Sequence, residues 1–451
     1  MKVIIIGTGK VGKAILEHMS KEGHDLCIID SNPKIIDDLV NRYDISGVSG
    51  NGASYETQKR AGVNKADVVI TCTSSDEVNI LACMVAKKIG AKNTIARIRN
   101  KDYYEQINFM KKDLGLSMII NPEQEAANEI VRILDFPQAL KIDTFAKGKI
   151  DLMEIYVNDD SPLVGLSLQM IRHHYQVQVL VCAIQRGNEV FIPSGDSVIF
   201  PKDKINITGN RNEIIKFLNK IGVINTRIDS VIIIGGGKIG HYLCQKLIKN
   251  HYSLKIIENE EKRCLELSEL FPEATVICGD GTDQDVLTDE GIKLVGALVS
   301  LTGIDEENII TSMYANTIKV PKIISKINRD SFAKMFETAG IASIITPKNI
   351  AAIRVVSYVR ALNNSRGSNV VTLYKLVNDE VEALEFTVNS RCEYLDVPLR
   401  DVKFKKGILF AAIIRNNETI IPGANDCLKT NDSVIVITTN KFLDDLNDLL
   451  L

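Results

Sequence analysis

The sequence has little that would pull it toward a membrane, a nucleic acid or a metal. Its 54 basic and 57 acidic residues nearly cancel, leaving a formal net charge of −3. No strong basic field therefore draws it to nucleic acid or to a bare lipid surface. No apolar run approaches the ~18 residues that a transmembrane helix needs. The chain opens directly on a strand-like run, so no signal peptide is expected. Nine cysteines are scattered without a C-x-x-C pair, and Cys27, Cys72 and Cys83 fall inside expected strands or helices. That usage suits reduced thiols in a cytoplasm. The six histidines make no metal spacing, and His173-His174 reads as a polar helix end rather than a ligand pair. What remains is an ordinary globular composition, 45% hydrophobic and 25% charged, over 451 residues, enough for two to four domains.

The chain is organised around residues 3–30, VIIIGTGKVGKAILEHMSKEGHDLCIID. An apolar run at 3–6 is too short for anything but a buried strand. Gly7, Gly9 and Gly12 follow in G-x-G-x-x-G spacing, enclosing Thr8, Lys10 and Val11. Val11, Ile15 and Met19 then share one helical face, and a second strand at 26–29 ends on Asp30. This is the strand–turn–helix–strand form of a mononucleotide-binding half. Gly7 allows the tight turn, Gly9 lets a pyrophosphate approach the backbone, and Gly12 lets the helix pack on the sheet. The helix N-terminus points unpaired amides at the phosphates. Asp30 lies 23 residues after Gly7, where a carboxylate takes both hydroxyls of an adenosine ribose. It would repel a 2′-phosphate, which favours NAD or an adenosine phosphate over NADP. Ser31 and Asn32 stand before Pro33 and cap the next helix.

The stretch occurs twice. Residues 231–258 read VIIIGGGKIGHYLCQKLIKNHYSLKIIE, and an offset of 228 maps Gly7, Gly9, Gly12 and Asp30 onto Gly235, Gly237, Gly240 and Glu258. Gly236, Lys238 and Ile239 complete the second loop. At an offset of 229, Gly50-Asn51-Gly52 meets Gly279-Asp280-Gly281, and Asp76-Glu77 with Asn79 meets Asp305-Glu306 with Asn308. Ile192-Pro193 meets Ile421-Pro422, and Asp203 meets Asp432. The chain is a tandem duplication of a unit of about 225 residues.

Each unit begins with an α/β lobe whose alternating strands and helices imply a parallel sheet. Strands ending at Gly7, Asp30, Gly50 and Thr71 bring those residues to the carboxyl edge, where such folds bind ligands. Each lobe closes with a helix, expected at 122–134 and 347–362. A small α+β lobe follows, with strands expected at 151–157, 178–185, 189–192 and 204–208, and helices at 166–173 and 211–221. The expected boundaries are 1–137 and 138–224 in the first copy. In the second they are 228–364 and 369–451, separated by the polar stretch 363–368.

The glycine opening, the Gly-Asn/Asp-Gly turn and the closing helix resemble the nucleotide-binding lobe of the RCK (KTN) family, and the small lobe is similar to the RCK C-terminal lobe. Two full units in one chain resemble the peripheral regulatory subunits of Trk-type potassium uptake systems. The resemblance implies a cytoplasmic dimer or larger ring of RCK lobes held at the inner face of the cell membrane by a potassium-transporting membrane subunit. It implies that NAD(H), or alternatively ATP or ADP, binds at the glycine edge and changes the ring's shape. Lys10 and Lys238 would reach the phosphates. Asn51 with Gly52, and Asp280 with Gly281, would read the adenine; the family often carries an acid at the Asn51 position. Thr71, Cys72 and Thr73, and in the copy Ser300, Leu301 and Thr302, would line the edge. Arg97 and Arg99 end the fifth strand, either reaching the distal phosphates or lying as solvated surface charges; their counterparts are Lys326 and Asn328.

A rival reading is an NAD-dependent oxidoreductase, which the glycine fingerprint alone does not exclude. Such an enzyme needs a His, Lys or Tyr placed as general acid or base. The small lobes show no such constellation, and His173-His174 align with Val402-Lys403. No catalytic residue is expected. A nucleotide sensor unconnected with potassium is a third reading, separated from the regulator only by the family resemblance.

Overall fold

The computed structural model describes residues 1–135, 141–145, 150–187, 189–222, 228–339, 343–364, 370–376, 380–416, 418–440, 443 and 445–451. In the first parallel lobe the elements run β1 (Lys2–Ile6), α1 (Lys10–Met19), β2 (Asp25–Asp30), α2 (Pro33–Arg42), β3 (Ser46–Ser49), α3 (Tyr55–Arg60), β4 (Val68–Thr71), α4 (Asp76–Ile89), β5 (Asn93–Arg97), α5 (Lys101–Met110), β6 (Met118–Ile120) and α6 (Pro122–Asp135). The sheet order is β3-β2-β1-β4-β5-β6, and every pairing is parallel. Apart from Lys2 and Thr71 at their ends, the central strands are apolar because both faces are covered by helices.

The first small lobe contains β7 (Lys141–Phe145), β8 (Ile150–Tyr156), α7 (Leu168–Tyr175), β9 (Val179–Arg186), β10 (Glu189–Phe191), β11 (Lys204–Gly209) and α8 (Arg211–Lys220). Its antiparallel sheet has the order β10-β9-β11-β8-β7. The second parallel lobe follows as β12 (Ser230–Ile234), α9 (Lys238–Lys249), β13 (Ser253–Glu258), α10 (Glu261–Leu270), β14 (Thr275–Cys278), α11 (Gln284–Asp289), β15 (Ala297–Ser300), α12 (Asp305–Thr317), β16 (Lys322–Lys326), α13 (Asp330–Ala339), β17 (Ser343–Ile345) and α14 (Pro347–Asn364). The order β14-β13-β12-β15-β16-β17 copies the first sheet. The second small lobe has β18 (Val370–Leu376), β19 (Val381–Thr387), β20 (Ile408–Arg415), β21 (Glu418–Ile420) and β22 (Ser433–Thr438), in the matching order β18-β19-β22-β20-β21.

The plan does not repeat in every element. Where α7 stands in the first copy, the second has a single 3-10 turn, Leu399–Asp401. The stretch there carries Pro398 and two β-branched valines, Val397 and Val402, all poor helix formers. A 3-10 turn, Leu446–Leu449, ends the second lobe where α8 ends the first. Part of the polar stretch expected as a linker at 363–368 belongs to α14, and residues 365–368 lie outside the described residues. So do residues 136–138, 223, 224 and 369 at the expected domain boundaries, and Asn188, between the strands expected at 178–185 and 189–192.

Along the chain the lobes alternate, but in space like packs with like. The two parallel lobes form one compact unit, Met1–Leu134 with Ile228–Val359; the two small lobes form another, Asp135–Arg227 with Arg360–Leu451. Within the first unit the closing helices are exchanged. Ala126, Ala127, Ile130, Ile133 and Leu134 of α6 lie in one buried cluster with Val231, Ile239, Leu243 and Leu247 of the second lobe. The Asn121 amide beside α6 donates to the Tyr242 hydroxyl at 3.0 Å. In the other direction, Tyr358 of α14 lies close to Ser117 beside β6. Within the second unit the two small sheets pack through Ile150, Leu152, Cys182 and Ala183 against Ala383, Ala411, Ala412 and Ile435. The small side chains at this seam allow close packing.

Candidate functional site

Four strand ends meet at the carboxyl edge of the first parallel sheet. In register, Ile6 lies beside Ile29 and Thr71, and Thr71 beside Ala96. Gly7, Asp30 and Arg97, at or just past these strand ends, lie along one edge where the strand order reverses. Gly7 turns the chain with φ +88°, and a Cβ there would stand 2.7 Å from the Thr73 amide nitrogen. A Cβ on Gly12 would stand 2.0 Å from the Gly7 carbonyl oxygen. At Gly9 a Cβ would meet nothing within 4 Å, and Gly9 caps α1 without a side-chain acceptor. The first amides of α1 therefore face open space, with exposed Lys10 beside them.

Asp30 holds this loop. Its Oδ2 accepts from the Thr8 amide at 2.8 Å and the Thr8 hydroxyl at 2.7 Å, and its Oδ1 accepts from the Asn32 amide at 3.0 Å. Burial works to raise the carboxyl, but these hydrogen bonds outweigh it and hold Asp30 below its ordinary value. The second edge reaches the same end with different residues. Glu258 Oε2 accepts from the Gly236 amide at 2.8 Å, and Oε1 from the amides of Asn259 and Glu260 at 2.9 and 3.1 Å. A Cβ on Gly236 would stand 2.2 Å from Leu267 Cδ1, so the longer acid is matched by a smaller loop residue. Gly235 turns with φ +98°, and a Cβ on Gly240 would stand 2.5 Å from the Gly235 carbonyl oxygen. Gly237, like Gly9, is open, and Lys238 beside it is exposed.

The far side of each crevice is clipped by one asparagine. Asn79 is fully buried. Its Oδ1 accepts from the Thr73 amide and hydroxyl, both at 2.8 Å, and its Nδ2 donates to the Arg97 carbonyl at 2.9 Å. Asn308 repeats this with the Thr302 amide at 2.9 Å and the Lys326 carbonyl at 2.9 Å. One turn away, Asp76 Oδ2 accepts from the amides of Arg99 and Asn100 at 2.8 and 2.7 Å. Asp305 accepts from the amides of Asn328 and Arg329 and from the Asn328 side chain. None of these four was singled out from the sequence as a site residue, although the repeat had aligned Asp76 with Asp305 and Asn79 with Asn308.

The basic residues are positioned but not saturated. Arg97 donates to the Thr73 carbonyl at 3.4 Å, and its Nε is buried without a hydrogen-bond partner among the described residues. Burial lowers its guanidinium from the usual value, and the Glu123 carboxylate opposes that. Arg99 Nη2 donates to the Ser74 carbonyl at 2.6 Å. In the copy, Lys326 Nζ donates to the Thr302 carbonyl at 2.7 Å. Burial lowers its ammonium; Asp305 counters this, Lys10 of the first lobe adds to it, and Glu123 counters it. The two crevices thus feel each other's charges.

Other residues expected at the edge sit deeper. Thr71 and Ser300 are wholly buried, and the Thr71 hydroxyl donates to the Asn79 carbonyl at 3.0 Å. Cys72 and Leu301 are buried, and burial pushes the Cys72 thiol up to about 12. Val11 and Ile239 face the core. Ser31 is exposed beside Asp30. At the proposed adenine turns, exposed Asn51 accepts from the Ala53 amide at 3.0 Å. Asp280 accepts from the Thr282 amide and hydroxyl at 2.8 and 2.7 Å, which lowers its carboxyl. Gly52 and Gly281 bring these turns close over β1 and β12: a Cβ would stand 2.1 Å from Ile6 Cγ2 and 2.2 Å from Ile234 Cγ2. No cluster of three or more metal-ligating side chains occurs among the described residues.

The fold and the edges define a tandem protein of Rossmann-like lobes, each carrying a glycine loop at a helix N-terminus and an acid at the end of its second strand. Residues 3–122 and 231–347 match the TrkA-N domain, and residues 152–222 and 383–451 match the TrkA-C domain. The chain belongs to the TrkA family. It is 32% identical over 446 residues to Trk system potassium uptake protein TrkA homolog 1 of Methanosarcina mazei, covering 97% of each chain. It is 29% identical over 445 residues to Trk system potassium uptake protein TrkA of Vibrio alginolyticus, covering 98% of this chain and 96% of that one. Among solved structures, the GsuK channel bound to NAD superposes with a TM-score of 0.62 at 15% identity, over 98% of this chain and 77% of that one. The GsuK RCK domain does so with 0.60 at 15%, over 98% and 92%.

Proposed function

We propose that this chain is a non-catalytic regulatory subunit of a Trk-type potassium uptake system. It binds NAD(H), with ATP or ADP as alternative ligands, at the Gly7–Asp30 and Gly235–Glu258 edges. It acts as a homodimer or larger ring of lobes, held at the inner face of the cell membrane by a potassium-transporting subunit. Its curated relatives are named as Trk potassium uptake proteins, and no helix among the described residues is long and apolar enough to cross a membrane.

The observation that carries the reading is the exchange of closing helices. Each lobe's closing helix reaches the other lobe. A nucleotide that favours one arrangement of a lobe therefore biases its neighbour, and it does so only by its differential affinity for the two arrangements. Such coupling between two nucleotide edges is what a gate requires.

The test combines three measurements. Deleting the gene should impair potassium uptake at low external potassium. The purified protein should capture a potassium-transporting membrane subunit. NADH incubated with the protein and a panel of hydroxy acids and carbonyl compounds should show no sustained turnover. Steady NADH turnover that depends on Lys10 or Asp30, with normal growth of the deletion strain, would restore the oxidoreductase.

A further inference from the structure

Two cysteines stand together at the lip of the second edge. Cys278 ends β14, and in the parallel register it lies beside Glu258. It is the exposed cysteine among the nine. It directly precedes the Gly279-Asp280-Gly281 turn. Cys264, on the buried face of α10, places its Sγ 3.2 Å from the Glu258 carbonyl oxygen. The Gly279 amide donates to that same oxygen at 2.9 Å. One carbonyl thus gathers the Cys264 sulfur and the Cys278–Gly279 peptide, and the neighbouring Cys278 thiol helps to raise the Cys264 thiol.

The first lobe carries the same backbone without the thiols. Ser49 lies beside Asp30, and the Gly50 amide donates to the Asp30 carbonyl at 2.9 Å. Ile36 and Ser49 occupy the positions of Cys264 and Cys278. The packing of α10 on its sheet therefore needs no cysteine, and the pair belongs to one site of the two.

We propose that Cys264 and Cys278 are a dithiol modification site that closes to an intramolecular disulfide on reaction with a low-molecular-weight disulfide, and that closure weakens nucleotide binding at the second edge alone. The second half of this rests on the nucleotide reading above. The exposed Cys278 sulfur attacks one sulfur of the small disulfide and expels its other half as a thiolate. The Cys264 sulfur then attacks the Cys278 sulfur of the mixed disulfide and expels the second thiolate. The protein gives up two electrons and two protons, and the small disulfide becomes two thiols. Burial, the neighbouring Cys278 thiol and the Glu258 carboxylate push the Cys264 thiol up to about 11, which assigns the first attack to Cys278 and the resolving step to Cys264. The new bond removes the Cys264 sulfur from the Glu258 carbonyl and ties α10 to the strand that leads into the adenine turn.

The experiment treats the full-length protein with oxidised glutathione, alkylates the remaining thiols and maps the peptides. The expected product is one crosslink between Cys264 and Cys278 within a chain, with no glutathione retained there. Cys264→Ser should instead keep glutathione on Cys278. Glutathione retained on Cys278 of the unaltered protein, or a crosslink only between chains, would overturn the dithiol. The second arm titrates ADP by calorimetry. The oxidised protein should lose about tenfold in affinity at one of its two sites, and Cys278→Ser should show no such loss after the same treatment. A crosslink with both affinities unchanged would overturn the control of binding. Absence of ADP binding in the reduced protein would overturn the nucleotide reading and that control with it, while the crosslink result stands on its own.

Discussion

Glu123 Oε1 lies 3.9 Å from Arg97 Nη2, and both side chains are mostly buried, at 18% and 14% exposure. Arg97 ends β5 and Glu123 opens α6, the helix that crosses to the second lobe. The remaining oxygen of Glu123 and the Nε of Arg97 have no hydrogen-bond partner among the described residues. The pair is too long for a good ion pair, and its spare donor and acceptor are desolvated. In the proposed nucleotide site, a phosphate arriving at Arg97 would compete with Glu123 and would disturb the root of the exchanged helix.

Glu123→Gln should therefore bind ADP more tightly at the first edge, by about 3- to 10-fold, the scale of one partly screened charge pair. The affinity should also fall more steeply with added salt, because Arg97 then meets the phosphates without a competing carboxylate. Calorimetry at low and high salt measures both. Identical affinities in the two proteins would remove Arg97 from the phosphate site.

The asparagine clips make a stability prediction. Truncating Asn79 leaves the Thr73 amide and the Arg97 carbonyl without the partners that now lie 2.8 and 2.9 Å away. Asn79→Ala and Asn308→Ala should each cost ~2–4 kcal/mol, the scale for stranding buried backbone groups. The urea midpoint reads it. A change in either variant no larger than that of an exposed Asn→Ala substitution would mean that water replaces the clip.

Much of this site was legible in the sequence because its geometry is backbone geometry. Gly7, Gly12 and the acid at the end of the second strand have residue requirements that spacing alone reveals. The parallel sheet, though not its strand order, followed from the alternation of strands and helices. The clips were harder. Asn79 and Asp76 sit on a helix where Asn and Asp are unremarkable, and the strand they tie down lies some 18 to 24 positions away. Only their recurrence at Asn308 and Asp305 marked them. The grouping of like lobes was not legible, because the apolar face of α6 reads the same whether it closes its own lobe or the next one. Pro398 marks the loss of the second copy's helix, but the repeat alone led to the expectation of the same plan in both copies.

Acid should unfold the second lobe partly through Asp305. Burial works to raise its carboxyl, but the amides of Asn328 and Arg329 and the Asn328 side chain hold it below the ordinary value. A carboxyl depressed in the native state stabilises fully above its unfolded pKa of about 3.9, and loses that contribution as pH falls through the native value. Asp305→Asn should thus be less stable than the unaltered protein at neutral pH, with the gap closing as pH drops below about 4. Urea melts across that range would show it. A gap that stays constant would assign the effect to packing.

The two edges should also differ in what they prefer. The first carries Arg97 and Arg99, the second Lys326 and Asn328. A guanidinium offers phosphate a fixed fork of donors that an ammonium lacks. With the second edge disabled by Glu258→Ala, the ATP-over-NADH affinity ratio should exceed that measured with the first disabled by Asp30→Ala, by about 3- to 10-fold. Equal ratios would count against it.

The last prediction concerns the acids themselves. Asp30 spends one oxygen on the Thr8 amide and hydroxyl, and Glu258 one on the Gly236 amide. The other oxygen of each accepts from the chain just beyond, at Asn32 or at Asn259 and Glu260. In the proposed site a ribose hydroxyl would compete with these backbone donors for the carboxylate. Asp30→Ala and Glu258→Ala should each weaken ADP binding in their own half by ~1–3 kcal/mol, the scale of a charge-assisted hydrogen bond, and leave the other half unchanged. The acids are not interchangeable, however. Gly236→Thr, which copies the first loop into the second, drives a Cβ to 2.2 Å from Leu267 Cδ1. It should destabilise the second lobe, and adding Glu258→Asp should not rescue it because Leu267 remains. Adding Leu267→Ala as well should recover most of the ADP affinity, since it clears the space that the threonine needs. If Gly236→Thr with Glu258→Asp alone restores binding, Leu267 is not what fixes the choice of acid, and the two loops differ for a reason other than packing.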